Sequence, residues 1–214
     1  MRSRTSALLL CLLSASTLDA QAIPDGWRWA TDSASVPSAR TDTLLPGTFH
    51  FVSMAPGWHV TMGPGALLFH PDSRASGRFE LQSRLILFPG TAPAEYGVFV
   101  GGADLDGASR SWTAFLVRRD GSAAVLRHEQ GRTRELLPWA AAPGVKPGAA
   151  ANVVRVVVDT AVRFVVNDSV VATLPRAQVA TAGVYGFRIG PALNLHITTL
   201  DATLRHAPVP PPKP

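Results

Sequence analysis

The clear hydrophobic patterns along this chain alternate with a period of two, and no run carries a convincing 3.6-residue repeat. Residues 78–88 (RFELQSRLILF) alternate most cleanly. Phe79, Leu81, Ser83, Leu85 and Leu87 share one side, and Arg78, Glu80, Gln82 and Arg84 share the other. One apolar and one polar side predict a strand with one face buried and one face in water. Residues 152–174 (NVVRVVVDTAVRFVVNDSVVATL) predict a meander of three valine-rich strands. β-branched side chains fit a pleated surface and lose rotamer freedom in a helix. The breaks between the runs, Asp159-Thr160 and Asn167-Asp168-Ser169, are turn chemistry, because Asn and Asp tolerate left-handed backbone and bond their own main chain.

Shorter runs extend the same reading. Strands are expected over 49–55, 58–62, 66–70, 96–100, 112–119, 122–129, 133–137, 184–189 and 193–204. Pro56-Gly57, Gly63-Pro64-Gly65, Pro71-Asp72 and Gln130-Gly131 are read as the breaks between them. Asp120-Gly121, between two strand patterns, is a strong hairpin signal. Residues 23–48 read as an irregular lead-in and 207–214 (APVPPPKP) as an extended polyproline tail. About a dozen short strands with Gly/Pro turns predict an all-β domain over residues 49–206, a two-sheet antiparallel β-sandwich or a barrel.

Composition narrows the setting. Arg2 and Arg4 precede an apolar run at 7–13, and Ala20-Gln21-Ala22 has the small-x-small form of a cleavage site. Residues 1–22 therefore read as a signal peptide, which implies export to the periplasm or beyond the cell. The apolar run is too short to span about 30 Å of hydrocarbon, so no membrane span is expected in the mature chain. Cys11, the single cysteine, lies inside that leader. Residues 23–214 thus offer neither a disulfide nor a thiol nucleophile. The formal net charge is +5. The arginines are scattered singly apart from Arg118-Arg119 and Arg132/Arg134, whereas nucleic-acid binders concentrate charge on one face. No nucleic-acid partner is expected.

The order of local motifs carries a resemblance. Gly57-Trp58 is followed by Gly-Arg-Phe-Glu-Leu at 77–81, Tyr-Gly-Val-Phe-Val-Gly-Gly at 96–102, and Arg118-Arg119-Asp120-Gly121. Then come Leu137-Pro138-Trp139, the valine strand led by Asn152, Phe-Val-Val-Asn at 164–167, and Gly-Val-Tyr-Gly-Phe-Arg-Ile-Gly at 183–190. The series resembles the concanavalin A-like lectin/glucanase jelly rolls, with nearest likeness to bacterial exported domains of the 3-keto-disaccharide hydrolase and laminin G-like types. The resemblance implies two curved sheets with any ligand on the concave face or rim loops. The Glu-x-Asp-x-x-Glu motif of family-16 glucanases has no counterpart here, and Glu95-Tyr96-Gly97 stands where the keto-disaccharide hydrolases have Asn-Ser-Gly.

Three functions follow as expectations. The first is a non-catalytic, lectin-like domain that binds carbohydrate or a cell-surface glycan. The second is a glycoside-processing hydrolase like the 3-keto-disaccharide hydrolases, using Glu80, Glu95 and Arg84 on the concave face, since that chemistry needs two carboxylates flanking one bond. The third is a laminin G-like adhesion module. Glu80, Gln82, Arg84, Tyr96 and Trp139 are the expected ligand-binding set, and Trp112, alternating with Ala114 and Leu116, is expected in the core. Asp104 and Asp106 are weak candidates for calcium at a rim loop, because hard cations want several oxygens; no other cofactor is expected. The six histidines show no His-x-His or His-x-x-x-His spacing, although His50 and His59 fall on neighbouring strands. There is no Gly-x-Ser-x-Gly, so a serine hydrolase is not expected.

Overall fold

A computed structural model describes residues 24–32 and 49–205. The expected leader, most of the lead-in and the polyproline tail lie outside the described residues. Fifteen strands and one 3₁₀ turn, Arg176–Gln178, account for the regular structure among those described. They are β1 (Arg28–Thr31), β2 (Phe49–Ser53), β3 (Trp58–Met62), β4 (Ala66–Ala75), β5 (Phe79–Leu87), β6 (Glu95–Ala103), β7 (Ser111–Arg118) and β8 (Ser122–Glu129), then β9 (Arg132–Ala141), β10 (Ala151–Val158), β11 (Ala161–Val166), β12 (Ser169–Pro175), β13 (Gly183–Ile189), β14 (Asn194–Ile197) and β15 (Asp201–Leu204). No helix among them is long and apolar enough to cross a membrane.

The strands form two antiparallel sheets. One has seven strands in the order β1-β4-β13-β6-β7-β8-β9. The other follows β12-β11-β10-β5-β14-β3-β2, with β15 also paired to β5. Alternation decides what lies between them. Phe79, Leu81, Leu85 and Phe164 from the eight-stranded sheet meet Val98, Phe115, Phe187 and Ile189 from the seven-stranded one. Phe115 and Phe164 touch across the gap with ring centroids 5.4 Å apart. The valine meander forms as expected, with Val154, Val156 and Val158 facing this core. Asn167 and Asp168, with φ of 45° and 67°, make its tight turn.

Three elements differ from the sequence reading. The lead-in contains β1, whose Trp29, Ala30 and Thr31 are buried against β4; four residues are too few to show a period. Strand β4 runs through Pro71 to Ala75. Its pairing with β13 shifts register between Phe69 and Arg74, so Pro71 sits in a bulge where no ladder donor is needed. The final strand is broken between β14 and β15. Thr198 N–H donates to the Arg84 carbonyl and the Ser83 hydroxyl donates to the Thr199 carbonyl, which keeps both halves on β5 despite the bulge.

The seven-stranded sheet carries a second apolar cluster on its outer face. Leu67, Phe69, Phe99, Ala114, Leu116 and Val184 belong to it, and Leu105 of the β6–β7 connection folds over them.

Candidate functional site

Beside that outer cluster lies a cavity of about 520 Å³. Its chemistry is organised by Arg188. Phe187 and Ile189 point into the inter-sheet core, so the residue between them on β13 must face outward. It is buried there, and its guanidinium Nη2 lies 2.6 Å from Asp32 Oδ2 and 3.6 Å from Glu95 Oε1. Asp32 comes from the end of β1 and Glu95 from the start of β6. A buried charge of this kind is stable only when paired, since desolvation costs several kcal/mol per ion. Gly65 fits this packing: a Cβ there would stand 2.4 Å from the Asp32 carboxylate and 3.2 Å from the guanidinium.

A second polar group lines the same cavity. Trp112 on β7 and His128, its cross-strand partner on β8, stack with centroids 5.2 Å apart and planes 9° from parallel. His128 Nδ1 lies 2.9 Å from the Thr133 hydroxyl. Burial pushes the His128 imidazole below its ordinary value; Arg110 lowers it further, with smaller contributions from Arg188 and Arg127, against the opposing pull of Asp32. Arg110, at the end of the β6–β7 connection, reaches over the cavity and donates to the Thr31 carbonyl at 3.1 Å. The cavity thus combines guanidinium donors, carboxylate acceptors and an aromatic stack. A few placed polar groups on a partly apolar floor is the usual make-up of a small-molecule site.

Several sequence-derived candidates lie elsewhere. Glu80, Gln82 and Arg84 do share a face, but it is the outer face of the eight-stranded sheet, because Phe79, Leu81 and Leu85 fill the core. There Glu80 is bound by Arg155 at 3.5 Å and Arg205 at 2.6 Å. Glu95 faces out of the other sheet. The hydrophobic core separates these two carboxylates, so they cannot flank one bond. Tyr96 is fully buried, its hydroxyl accepting from Asn152 Nδ2 at 3.0 Å, and burial pushes the phenol above its ordinary value. It is a core residue and not a ligand contact. Trp139 is half-buried at the outer face of the seven-stranded sheet, under the Arg118 guanidinium at 3.5 Å. Arg118 in turn lies 3.7 Å from Glu95, which links Trp139 to the Arg188 cluster. Trp112 is buried as expected, but on the outer face and not between the sheets.

The calcium candidates are engaged in the loop itself. Asp104 accepts the Ser109 N–H at 3.0 Å and Asp106 pairs with Arg28 at 3.1 Å. A cation there would compete with both contacts. His50 and His59 do approach each other on the eight-stranded sheet, and His196 joins them as the partner of His59. Among the described residues, no three His, Cys, Asp or Glu side chains are arranged to hold a metal ion.

Arg188, Asp32, Arg110 and His128 were not singled out from the sequence. The one available signal was Arg188, a lone charge inside the otherwise apolar strand Val-Tyr-Gly-Phe-Arg-Ile. Asp32 and Arg110 reach the site through tertiary contacts between residues 79 or more apart, which no local pattern announces.

No protein-family model matches the chain, and no curated protein matches it in sequence. In structure it is similar to the carbohydrate binding module CBM66 from Bacillus subtilis, with TM-score 0.60 and 9% identity over 82% of this chain and 94% of that one. It is also similar to a protein of unknown function with galectin-like fold from Bacillus subtilis, with TM-score 0.56 and 12% identity over 84% and 90% of the two chains. A third similar structure is the alginate lyase A1-II′, with TM-score 0.52 and 12% identity over 84% and 95%. The fold is that of the galectin-like and concanavalin A-like sandwiches.

Proposed function

We propose that this chain is an exported, lectin-like binding module without catalytic activity, and that carbohydrate or a cell-surface glycan binds on the outer face of the seven-stranded sheet. The observation that carries this reading is the polar cluster Asp32–Arg188–Glu95 beside the Trp112–His128 stack in one cavity. Sugar hydroxyls need both donors and acceptors, and charged partners make the stronger hydrogen bonds. A sugar's C–H face packs well against apolar and aromatic surface. The carbohydrate binding module among the similar structures supports the class of ligand.

A hydrolase of the 3-keto-disaccharide type would use the carboxylates that do share this cavity, Asp32 and Glu95. Both lie within 3.6 Å of the same guanidinium nitrogen. The arginine occupies the space where a scissile bond would have to lie, which favours the binding reading over the enzyme. A laminin G-like adhesion module draws on the apolar cluster under Leu105, which fills part of the face.

The test is a glycan array probed with the purified chain, with and without Ca²⁺. The binding reading predicts a saturable hit that Glu95→Gln weakens at least tenfold. Dependence on Ca²⁺ would assign a role to Asp104 and Asp106. A blank array at high protein concentration contradicts sugar binding and favours the adhesion module.

A further inference from the structure

Charge within the cavity is unevenly satisfied. Arg188 has Asp32 and Glu95 on it, and Glu95 is also approached by Arg118. Among the described residues, Arg110 makes a single hydrogen bond, from Nη1 to the Thr31 carbonyl, and no ion pair. Two carboxylates, Asp32 and Glu95, and two guanidiniums, Arg188 and Arg110, line the cavity. Both carboxylates are drawn to Arg188, and Glu95 also to Arg118 from outside the cavity, so that Arg110 is the cation left over for a ligand. Arg110 is half-buried and lines the cavity wall. Its contact with the Thr31 carbonyl holds the side chain in place and leaves Nη2 and Nε without an acceptor among the described residues. A guanidinium fork with two unused donors matches the planar geometry of a carboxylate and accepts a sulfate as well. His128 adds no compensating negative charge beside it.

From this, and resting on the sugar-binding reading above, we propose that the cavity takes an anionic saccharide whose charged group is seated on Arg110. The neutral part of the sugar then lies toward the Trp112–His128 stack, and its hydroxyls toward Asp32 and Glu95. The class of ligand is a uronate-containing or sulfated oligosaccharide.

The experiment titrates the full chain with matched pairs: glucuronate, galacturonate and mannuronate oligosaccharides, each beside its methyl ester, with a sulfated galactan and its unsulfated form as a further arm. The expected result is binding of an anionic member at least tenfold tighter than its neutral counterpart, with a steep loss on raising salt. Arg110→Gln removes that preference, so that the anionic and neutral members of each pair bind with affinities within about twofold of each other. Arg110→Lys, which keeps the charge and loses the fork, retains part of the preference. Preference confined to the sulfated arm and lost in Arg110→Gln identifies sulfate as the anion. Equal affinity for anionic and neutral members overturns the inference while leaving sugar binding standing. A preference that survives Arg110→Gln overturns the assignment to Arg110. Binding to none of the saccharides overturns both readings.

Discussion

Arg188 is a buried cation whose removal takes a partner from two carboxylates, Asp32 and Glu95, of which Glu95 keeps Arg118. Arg188→Met keeps most of the side-chain volume but leaves Glu95 and Asp32 facing each other without their shared partner. Deleting one member of a fully buried pair is costly, but Asp32 is half-exposed and Glu95 keeps Arg118, so the expected loss in urea unfolding is about 1–2 kcal/mol. The buried Asn152 makes a contrasting case. Its amide donates to the Tyr96 hydroxyl and the Lys146 carbonyl, while its oxygen accepts from Lys146 N–H and from Asn167 Nδ2. Asn152→Leu orphans several groups at once, and the expected cost is about 3 kcal/mol. Tyr96→Phe removes one acceptor and leaves Asn152 its other partners, so it is expected to cost only about 1 kcal/mol and to leave ligand affinity unchanged. Loss of binding in Tyr96→Phe with stability intact would contradict its placement in the core. At this scale the sequence was a partial guide. Tyr96 was conspicuous as an aromatic next to Glu95, but the period of β6 puts neighbours on opposite faces, and only the sheet order says which face is open. The lone charge at Arg188 was visible, and its partners were not.

Strand elements explain why the site has its shape. Gly97 sits on β6 with the Phe115 carbonyl so close that an added Cβ would stand 2.0 Å from it. Any side chain there must push β7 away from β6, which would also move Trp112 and Glu95. Gly97→Ala is expected to destabilise by about 3 kcal/mol, and a urea midpoint unchanged from the parent would contradict the tight pairing. The valine meander and the alternating β5 were legible because long β-branched runs leave no helical alternative and their turns carry Asn, Asp and Gly. Strand β1 was not legible, because its four residues acquire their burial from β4 and not from their own pattern. The extension of β4 past Pro71 was hidden for a related reason. Proline breaks a regular ladder, and the bulge that accommodates it is a property of the pairing with β13. Both hidden elements border the site: Asp32 directly follows β1, Gly65 directly precedes β4, and Leu67 lies on β4.

Taken as a whole, the molecule has two outer faces of different character. The eight-stranded sheet presents a salt-bridged lattice around Glu80, while the seven-stranded sheet presents a half-apolar surface with a charged cavity. Each face also holds a histidine that burial pushes below its ordinary value of 6.5: His59, facing His196, His50 and Asn194, and His128, facing Arg110, Asp32, Arg188 and Arg127. A folded-state value below the unfolded one means that the unfolded chain takes up the proton first. Stability is therefore full above about pH 7, falls as pH drops below 6.5, and levels off once the folded histidines also protonate. Urea midpoints at pH 7.5 and 5.5 are expected to differ, and the double substitution His59→Gln/His128→Gln is expected to shrink that difference. A midpoint difference unaffected by the double substitution would assign the acid sensitivity to other groups. The sandwich class was readable from period and turns, since two-faced strands need a second sheet to cover them. That the outer face of the seven-stranded sheet holds this cavity was not readable, because it depends on where the 104–110 connection folds back.

The central claim is that ligand is bound by the outer face of the seven-stranded sheet and not by the Glu80 face. It is tested most directly by titrating one array-selected glycan into Glu95→Gln and Glu80→Gln side by side with the parent chain. At least a tenfold loss of affinity is expected in Glu95→Gln and parent-like binding in Glu80→Gln. Parent-like binding in Glu95→Gln together with a loss in Glu80→Gln would contradict it and move the site to the other sheet.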